Sequence, residues 1–231
     1  MSSKKKIVVL SGAGVSAESG INTFRDADGL WEGHSVTEVA SPEGWEANPA
    51  LVLDFYNQRR RQLFEVEPND AHKLLAKLQE AYEVVVVTQN VDDLHERAGS
   101  HHIIHLHGEL LKSKSSGFPV AVYPCTEDIS LGDTCEYGSQ LRPFIVWFGE
   151  SVPLLEDAAM EVASADIIIV IGTSMQVYPA ASLVEFAQSN VEVFYIDPKP
   201  SVNHSLSMMN DLTVIKETAT KGMKELYDKL I

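Results

Sequence analysis

The segment that most restricts the fold lies near the start of the chain. Ile7-Val8-Val9-Leu10 is an apolar run of strand length, and it leads straight into Ser11-Gly12-Ala13-Gly14-Val15-Ser16-Ala17. Gly12 to Ala17 fits G-x-G-x-x-[G/A] placed after a strand. Glycines there permit a tight turn and let the backbone approach a pyrophosphate at a helix N-terminus. Alone, the pattern also fits an ordinary glycine-bearing strand-to-helix turn. A standard dinucleotide unit closes within about 30 residues and ends its second strand on an acid for the ribose. Here the next strand-like run, Val84-Val85-Val86-Val87, comes far later, with residues 22–81 in between. That spacing argues against a hydride-transfer enzyme.

Further short apolar runs occur at Ile103–His105, Ile145–Trp147, Ile167–Ile171, Val191–Ile196 and Leu212–Ile215. Helical patterns are expected at about Pro49–Phe64, Asn69–Ala81, Pro153–Ala163, Pro179–Ser189 and Thr220–Leu230. Strand–helix alternation of this kind predicts an α/β fold, a doubly wound parallel Rossmann-like sheet with helices on both faces. A smaller helical and irregular domain would be formed by insertions. The expected division is 1–21, 82–111 and 142–231 for the Rossmann-like domain, 22–81 for a loop and helical module, and 112–141 for an irregular insertion.

The 231 residues are 45% hydrophobic and 22% charged, enough for a real core. A formal charge of −15 repels phosphate backbones, so no nucleic-acid partner is expected; basic, lysine-bearing protein segments suit it better. No apolar run has the length of a membrane span, and the stretch after Lys4-Lys5-Lys6 is too short for a signal peptide. The expectation is a cytoplasmic protein with no membrane partner. Cys125 and Cys135 are too few for a disulfide framework or a four-thiolate zinc site.

Two side-chain groups suggest chemistry. His101, His102, His105 and His107 stand close together, with His105 and His107 on one face of a strand. They suit metal ligation, general-base chemistry or plain solvated positions. Tyr56 and Arg59, three apart on a helix, project side by side, and a phenol with a guanidinium suits a carboxylate. Arg60 and Arg61 read as a solvated basic face.

Six segments, in order, resemble the sirtuin family of NAD-dependent protein deacylases. They are Gly12-Ala13-Gly14-Val15-Ser16, Gly20-Ile21-Asn22-Thr23-Phe24-Arg25, Thr88-Gln89-Asn90-Val91-Asp92, Leu94-His95, His107-Gly108 and Gly172-Thr173-Ser174. The resemblance covers nearly the whole chain apart from Lys112–Gln140. It implies NAD as cofactor, with Gly12, Ala13, Gly14 and Ser16 at the pyrophosphate. Phe24 and Arg25 would lie on a loop that closes over NAD, with Trp31 beside it. Gln89, Asn90, Val91 and Asp92 would line the nicotinamide and its ribose. Gly172, Thr173, Ser174, Asp197, Pro198, Lys199 and Ala219 would surround the adenosine end.

His107 would be the general base, with Asn90 and Asp92 as its catalytic partners. In that chemistry the acyl-lysine carbonyl oxygen attacks the anomeric carbon as nicotinamide leaves. A neutral histidine then deprotonates a ribose hydroxyl. The implied partners are acylated lysine side chains of proteins, and the products are free lysine, nicotinamide and O-acyl-ADP-ribose. Tyr56 and Arg59 resemble the Tyr-x-x-Arg element of the sirtuins that remove succinyl and malonyl groups, with Ala40 leaving room for the longer chain.

Zinc is not expected. Ser113, Lys114, Ser115 and Ser116 stand where the first cysteine pair of the family's zinc module would fall. The insertion would instead be held by packing of Phe118, Val120, Val122, Tyr123 and Ile129. Two other readings stay open: a metal-dependent hydrolase built on His105 and His107, and an NAD-binding regulator or ADP-ribosyltransferase.

Overall fold

The computed structural model describes residues 4–22, 30, 31 and 33–231. At its centre six parallel strands run in the order Asp211–Ile215, Glu192–Ile196, Ile167–Ile171, Lys6–Ser11, Glu83–Thr88, Ile103–His105. The inner strands are apolar on both faces because helices cover both. On one face Leu75 of helix Asp70–Lys77 and Met223 and Leu226 of helix Ala219–Leu230 pack on Ile7, Val9, Val86 and Ile169. On the other, Ala158 and Val162 of helix Leu155–Ala163 pack on Val8, Val85 and Ile168. The expected doubly wound, Rossmann-like sheet is present. Among the described residues no helix is long and apolar enough to cross a membrane.

Strand Lys6–Ser11 lies between Glu83–Thr88 and Ile167–Ile171, and Ser11 is level with Thr88 and Ile171. Strand order reverses here, and the crevice beyond the carboxyl ends is the place where open α/β sheets bind ligands. The glycine turn departs from expectation. Two short 3-10 turns, Ala13–Val15 and Ala17–Ser19, stand where a helix was expected.

The long helix Pro49–Leu63 begins at Asn48, whose Oδ1 accepts the Leu51 N–H at 3.1 Å, with Pro49 in the first turn. Val52, Phe55, Tyr56 and Leu63 form a separate cluster with Val39, Ala40, Leu110, Ile145 and Trp147. That cluster fixes the helix against the second, smaller sheet.

The insertion is more regular than its sequence suggests. Gly108–Ser115 pairs antiparallel with Val122–Pro124 and with Leu141–Ile145, which replaces the strand expected at Ile145–Trp147. Alternation is present but carried by polar residues, since Ser113 and Ser115 point inward at 2% exposure. The expected apolar packing is overturned: Phe118 is 93% exposed, Val120 and Val122 are exposed, and Ile129 is buried.

Hydrogen bonds hold the segment instead. Asn57 acts like a strand neighbour, donating from Nδ2 to the Ile129 carbonyl and accepting the Ile129 N–H at Oδ1, both at 2.9 Å. Arg60 is buried, not solvated. It donates from Nη1 to Asn57 Oδ1 at 2.7 Å and from Nε to the Leu110 carbonyl at 2.9 Å. Arg61 is exposed and pairs with Asp128.

The segment Pro179–Ser189 also departs from the helix expected there. It forms a 3-10 helix, Ala180–Phe186, and Ser182 directs both its N–H and its hydroxyl to the Pro179 carbonyl.

Gly172 packs directly against Gly14 and Val15 of the first glycine turn. Its φ is +61°, and a Cβ would lie 2.2 Å from Val15 N and 2.5 Å from Gly14 C. Gly172→Ala is expected to lower stability by about 2–4 kcal/mol, combining left-handed backbone strain with overpacking. Gly99 has φ +100° with nothing within 4 Å of its Cβ position, so Gly99→Ala isolates the backbone effect alone. Urea midpoints of the two variants check this. Equal shifts would mean that the two glycine turns do not press together.

Candidate active site

A cavity of about 650 Å³ opens at the strand-order reversal. The first turn contributes Gly12, Ala13, Gly14 and Ser16, and the loop after Glu83–Thr88 contributes Gln89, Asn90, Val91 and Asp92. His107, the turn Gly172-Thr173-Ser174, the segment Asp197-Pro198-Lys199 and Ala219 complete that side. Trp31, Ala40, Tyr56 and Arg59 border the other end. Thus every site residue expected from the sequence borders one space, except Phe24 and Arg25, which lie outside the described residues.

Close backbone contact shapes the floor. The Gly12 N–H donates to the Ile171 carbonyl at 3.1 Å and the Gly14 N–H to the Gly172 carbonyl at 2.8 Å. A Cβ on Gly14 would meet Gly172 Cα at 2.7 Å. Gln89 Nε2 donates to Thr173 Oγ1 at 3.0 Å, joining the two sides of the crevice. The Lys199 N–H donates to Asp197 Oδ1 at 2.8 Å, fixing the turn at Pro198.

A buried polar network lies beneath. The Ser16 hydroxyl donates to Asp92 Oδ2 at 2.9 Å and accepts from Asn90 Nδ2 at 3.1 Å, while the Leu94 N–H donates to Asp92 Oδ1. Burial pushes the Asp92 carboxyl up to about 6, against the hydrogen bonds from Leu94 and Ser16. His72 sits 3.4 Å from Ser16 Oγ and His95 3.0 Å from Ser11 Oγ. Burial lowers His72 to about 4 and His95 well below the ordinary histidine value, so both are neutral near pH 7.

The clustered histidines separate by their partners. His107 Nδ1 is 3.1 Å from the Gln89 carbonyl, which can only accept, so Nδ1 carries the proton and Nε2 keeps its lone pair. Burial lowers the His107 pKa despite that bond, which keeps the ring neutral at pH 7. His105 Nδ1 donates to the Asn90 carbonyl at 3.1 Å, and its Nε2 lies 2.7 Å from Glu96 Oε1. Burial opposes a charge on His105, but the Glu96 hydrogen bond and charge outweigh it and raise the pKa. Both His105 nitrogens are engaged, which removes the lone pair a metal site would need. Among the described residues no group of three or more His, Cys, Asp or Glu is placed to hold a metal ion.

These shifts set an expected pH profile. If neutral His107 and ionised Asp92 are both required, kcat/KM stays level between about pH 7 and 8. On the acid side it falls as protons return to the pair, with apparent midpoints at or below 6.5, the ordinary histidine value from which His107 is lowered. A pH–rate curve with its acid midpoint above 7 would contradict the burial of His107.

Comparison with known proteins then decides the family. The Sir2 family profile matches residues 12–179. The chain belongs to the Sir2 family. It is similar to an NAD-dependent protein deacylase of Helicobacter pylori, 59% identical over 227 residues and 98% of each chain. A protein of the same name from Bacteroides thetaiotaomicron is 52% identical over 233 residues, again 98% of each. Among solved structures, a Sir2 homologue–NAD complex superposes with a TM-score of 0.87 at 39% identity, covering 98% of this chain and 90% of that one. A second Sir2 enzyme structure gives a TM-score of 0.82 at 32% identity, covering 99% and 94%.

As a member of this family, the protein also has lining residues that sequence reasoning passed over. Val146 and Phe148 border the cavity, held there by the Val146 N–H donating to the His107 carbonyl at 2.9 Å and the Phe148 N–H to the Ala40 carbonyl at 3.0 Å. Glu18 borders it too, and its carboxylate accepts from the N–H and hydroxyl of Thr220 at 2.9 and 2.8 Å. None of these contacts leaves a periodic signal in the sequence.

Proposed function

We propose that this Sir2-family enzyme is an NAD-dependent protein-lysine deacylase that removes acetyl groups and, through Tyr56 and Arg59, succinyl and malonyl groups. One observation carries the reading. Tyr56 and Arg59 border the same cavity as His107 and the glycine turn, so an acyl chain and a nucleotide have room to meet.

The residues fit NAD. Gly12, Ala13, Gly14 and Ser16 border the cavity, and the two glycines lack the Cβ atoms that would collide with the Gly172-Thr173 turn, so this end is a close-packed glycine turn of the kind that accommodates a pyrophosphate. NAD, when bound, supplies the ADP-ribosyl group that accepts the acyl group. Gly172, Thr173, Ser174, Asp197, Pro198, Lys199 and Ala219 hold the adenosine end. Gln89, Asn90, Val91 and Asp92 would orient the nicotinamide ribose, and Trp31 would shield it from bulk water. His107 Nε2 takes the proton from a ribose hydroxyl. One water is consumed as the lysine amine is released, and nicotinamide, O-acyl-ADP-ribose and free lysine leave.

Zinc has no part in this reading. Cys125 and Cys135 are free, the Cys125 thiol donates to the Glu127 carbonyl at 3.4 Å, and two thiols alone cannot complete a tetrahedral site. The substrates are acylated lysines on basic protein segments, in keeping with the acidic chain and a cytoplasmic setting.

Mass spectrometry of an acylated peptide with and without NAD tests the activity. The expected products appear with NAD alone. Nucleotide consumption without a deacylated peptide would favour an ADP-ribosyltransferase, and deacylation without NAD a hydrolase.

A further inference from the structure

The inner end of the cavity contains a hydroxyl with one unmet need. Tyr56 is fully buried, and among the described residues its oxygen makes one hydrogen bond, accepting from Trp147 Nε1 at 3.2 Å. An indole N–H donates and never accepts. The Tyr56 hydrogen must therefore point to something else, and a buried donor without an acceptor is costly.

We infer that Trp147 is a specificity-determining positioning residue. Its indole N–H occupies the acceptor side of the Tyr56 hydroxyl and so turns the O–H toward an acyl carboxylate in the cavity. The inference rests on the acyl-carboxylate reading above and adds to it the residue that orients the donor.

The indole is itself fixed. The Arg142 guanidinium lies 3.4 Å over its ring, and the Trp45 ring packs at 5.8 Å. The Trp147 backbone N–H and Arg142 Nη2 both donate to Glu150 Oε2, at 2.8 and 2.9 Å. Arg142 Nη2 also reaches the Ile145 carbonyl at 2.9 Å. On the far side, the Phe55 and Trp31 rings meet Tyr56 edge-on at 5.2 and 6.1 Å. With the ring and its partner both packed between neighbouring side chains, rotation of the O–H is the freedom left to the group, and the indole N–H directs it. Burial raises the Tyr56 pKa, so the phenol keeps this proton at neutral pH and serves as a donor. A donor hydrogen-bonded from behind is also polarised toward giving its own proton.

Trp147→Phe tests this, because it keeps an aromatic ring under Arg142 and deletes the N–H. The succinyl-to-acetyl ratio of kcat/KM is expected to fall by about 3–10-fold, the effect of one hydrogen bond. In a Tyr56→Phe background the same change should alter the ratio by less than about twofold, since the two groups act as one unit. Benzothienylalanine at position 147 removes the N–H with little change of shape, and should match Trp147→Phe even if that variant folds poorly. An unchanged ratio, or effects that add in the double variant, would show that Trp147 only packs. If Tyr56→Phe and Arg59→Met themselves leave the ratio unchanged, the acyl-carboxylate reading fails and this inference falls with it. If those two shift it and neither position-147 variant does, only the role of Trp147 is overturned.

Discussion

His107→Ala is expected to lower turnover by at least about a hundredfold while NAD still binds. The substitution removes the ring whose Nε2 keeps a lone pair, yet it leaves the glycine turn and its contacts with Gly172 in place. Turnover measured beside calorimetric NAD binding separates the two effects. The fallback base suggested by proximity, His105, is unsuited, since Glu96 and the Asn90 carbonyl engage both its nitrogens. Near-wild-type turnover would therefore place the base outside this histidine pair altogether.

Arg59→Met should act on one substrate class far more than the other. Arg59 is drawn back along its own helix, with its guanidinium 4.2 Å from the Phe55 ring centre and Nη1 donating to the Phe55 carbonyl at 3.0 Å. Losing a charge-assisted, partly buried contact to a ligand carboxylate costs about 2–4 kcal/mol, so succinyl-lysine kcat/KM should drop roughly thirty- to a thousandfold. Acetyl-lysine turnover should suffer much less. Tyr56→Phe should act in the same direction but more weakly, because a neutral donor is lost. Salt should weaken succinyl binding to the degree that the pair is exposed. An equal fall on both substrates would assign Arg59 to holding the helix.

The sheet was legible because burial on both faces forces continuous apolar runs such as Ile167–Ile171. The site was legible because its parts are local: a glycine turn after one strand, a polar loop after another, Tyr56 and Arg59 on one helix. What escaped the sequence depends on distant partners. Arg60 looks like its neighbour Arg61 until Asn57, Leu110 and Ile129 are brought around it. Ser113 and Ser115 alternate as a strand requires, but a polar inward face hides the period from hydrophobic patterning. The expected helix after the glycine turn is two 3-10 turns, so the backbone contact with Gly172, not a long helix, shapes that end of the cavity. Trp147 reads as the end of an apolar run, and only the fold sets its indole against Tyr56, 91 residues away in sequence.

In the proposed function this cavity reads a charge at the far end of the acyl group. Two peptides isolate it, one carrying succinyl-lysine and the other the same lysine with the terminal carboxylate converted to its primary amide. Length and shape are matched, and only the charge differs. With NAD present, kcat/KM for the carboxylate should exceed that for the amide by at least about tenfold, as a charge-assisted contact requires. An amide turned over equally well, or better, would contradict carboxylate recognition by Tyr56 and Arg59.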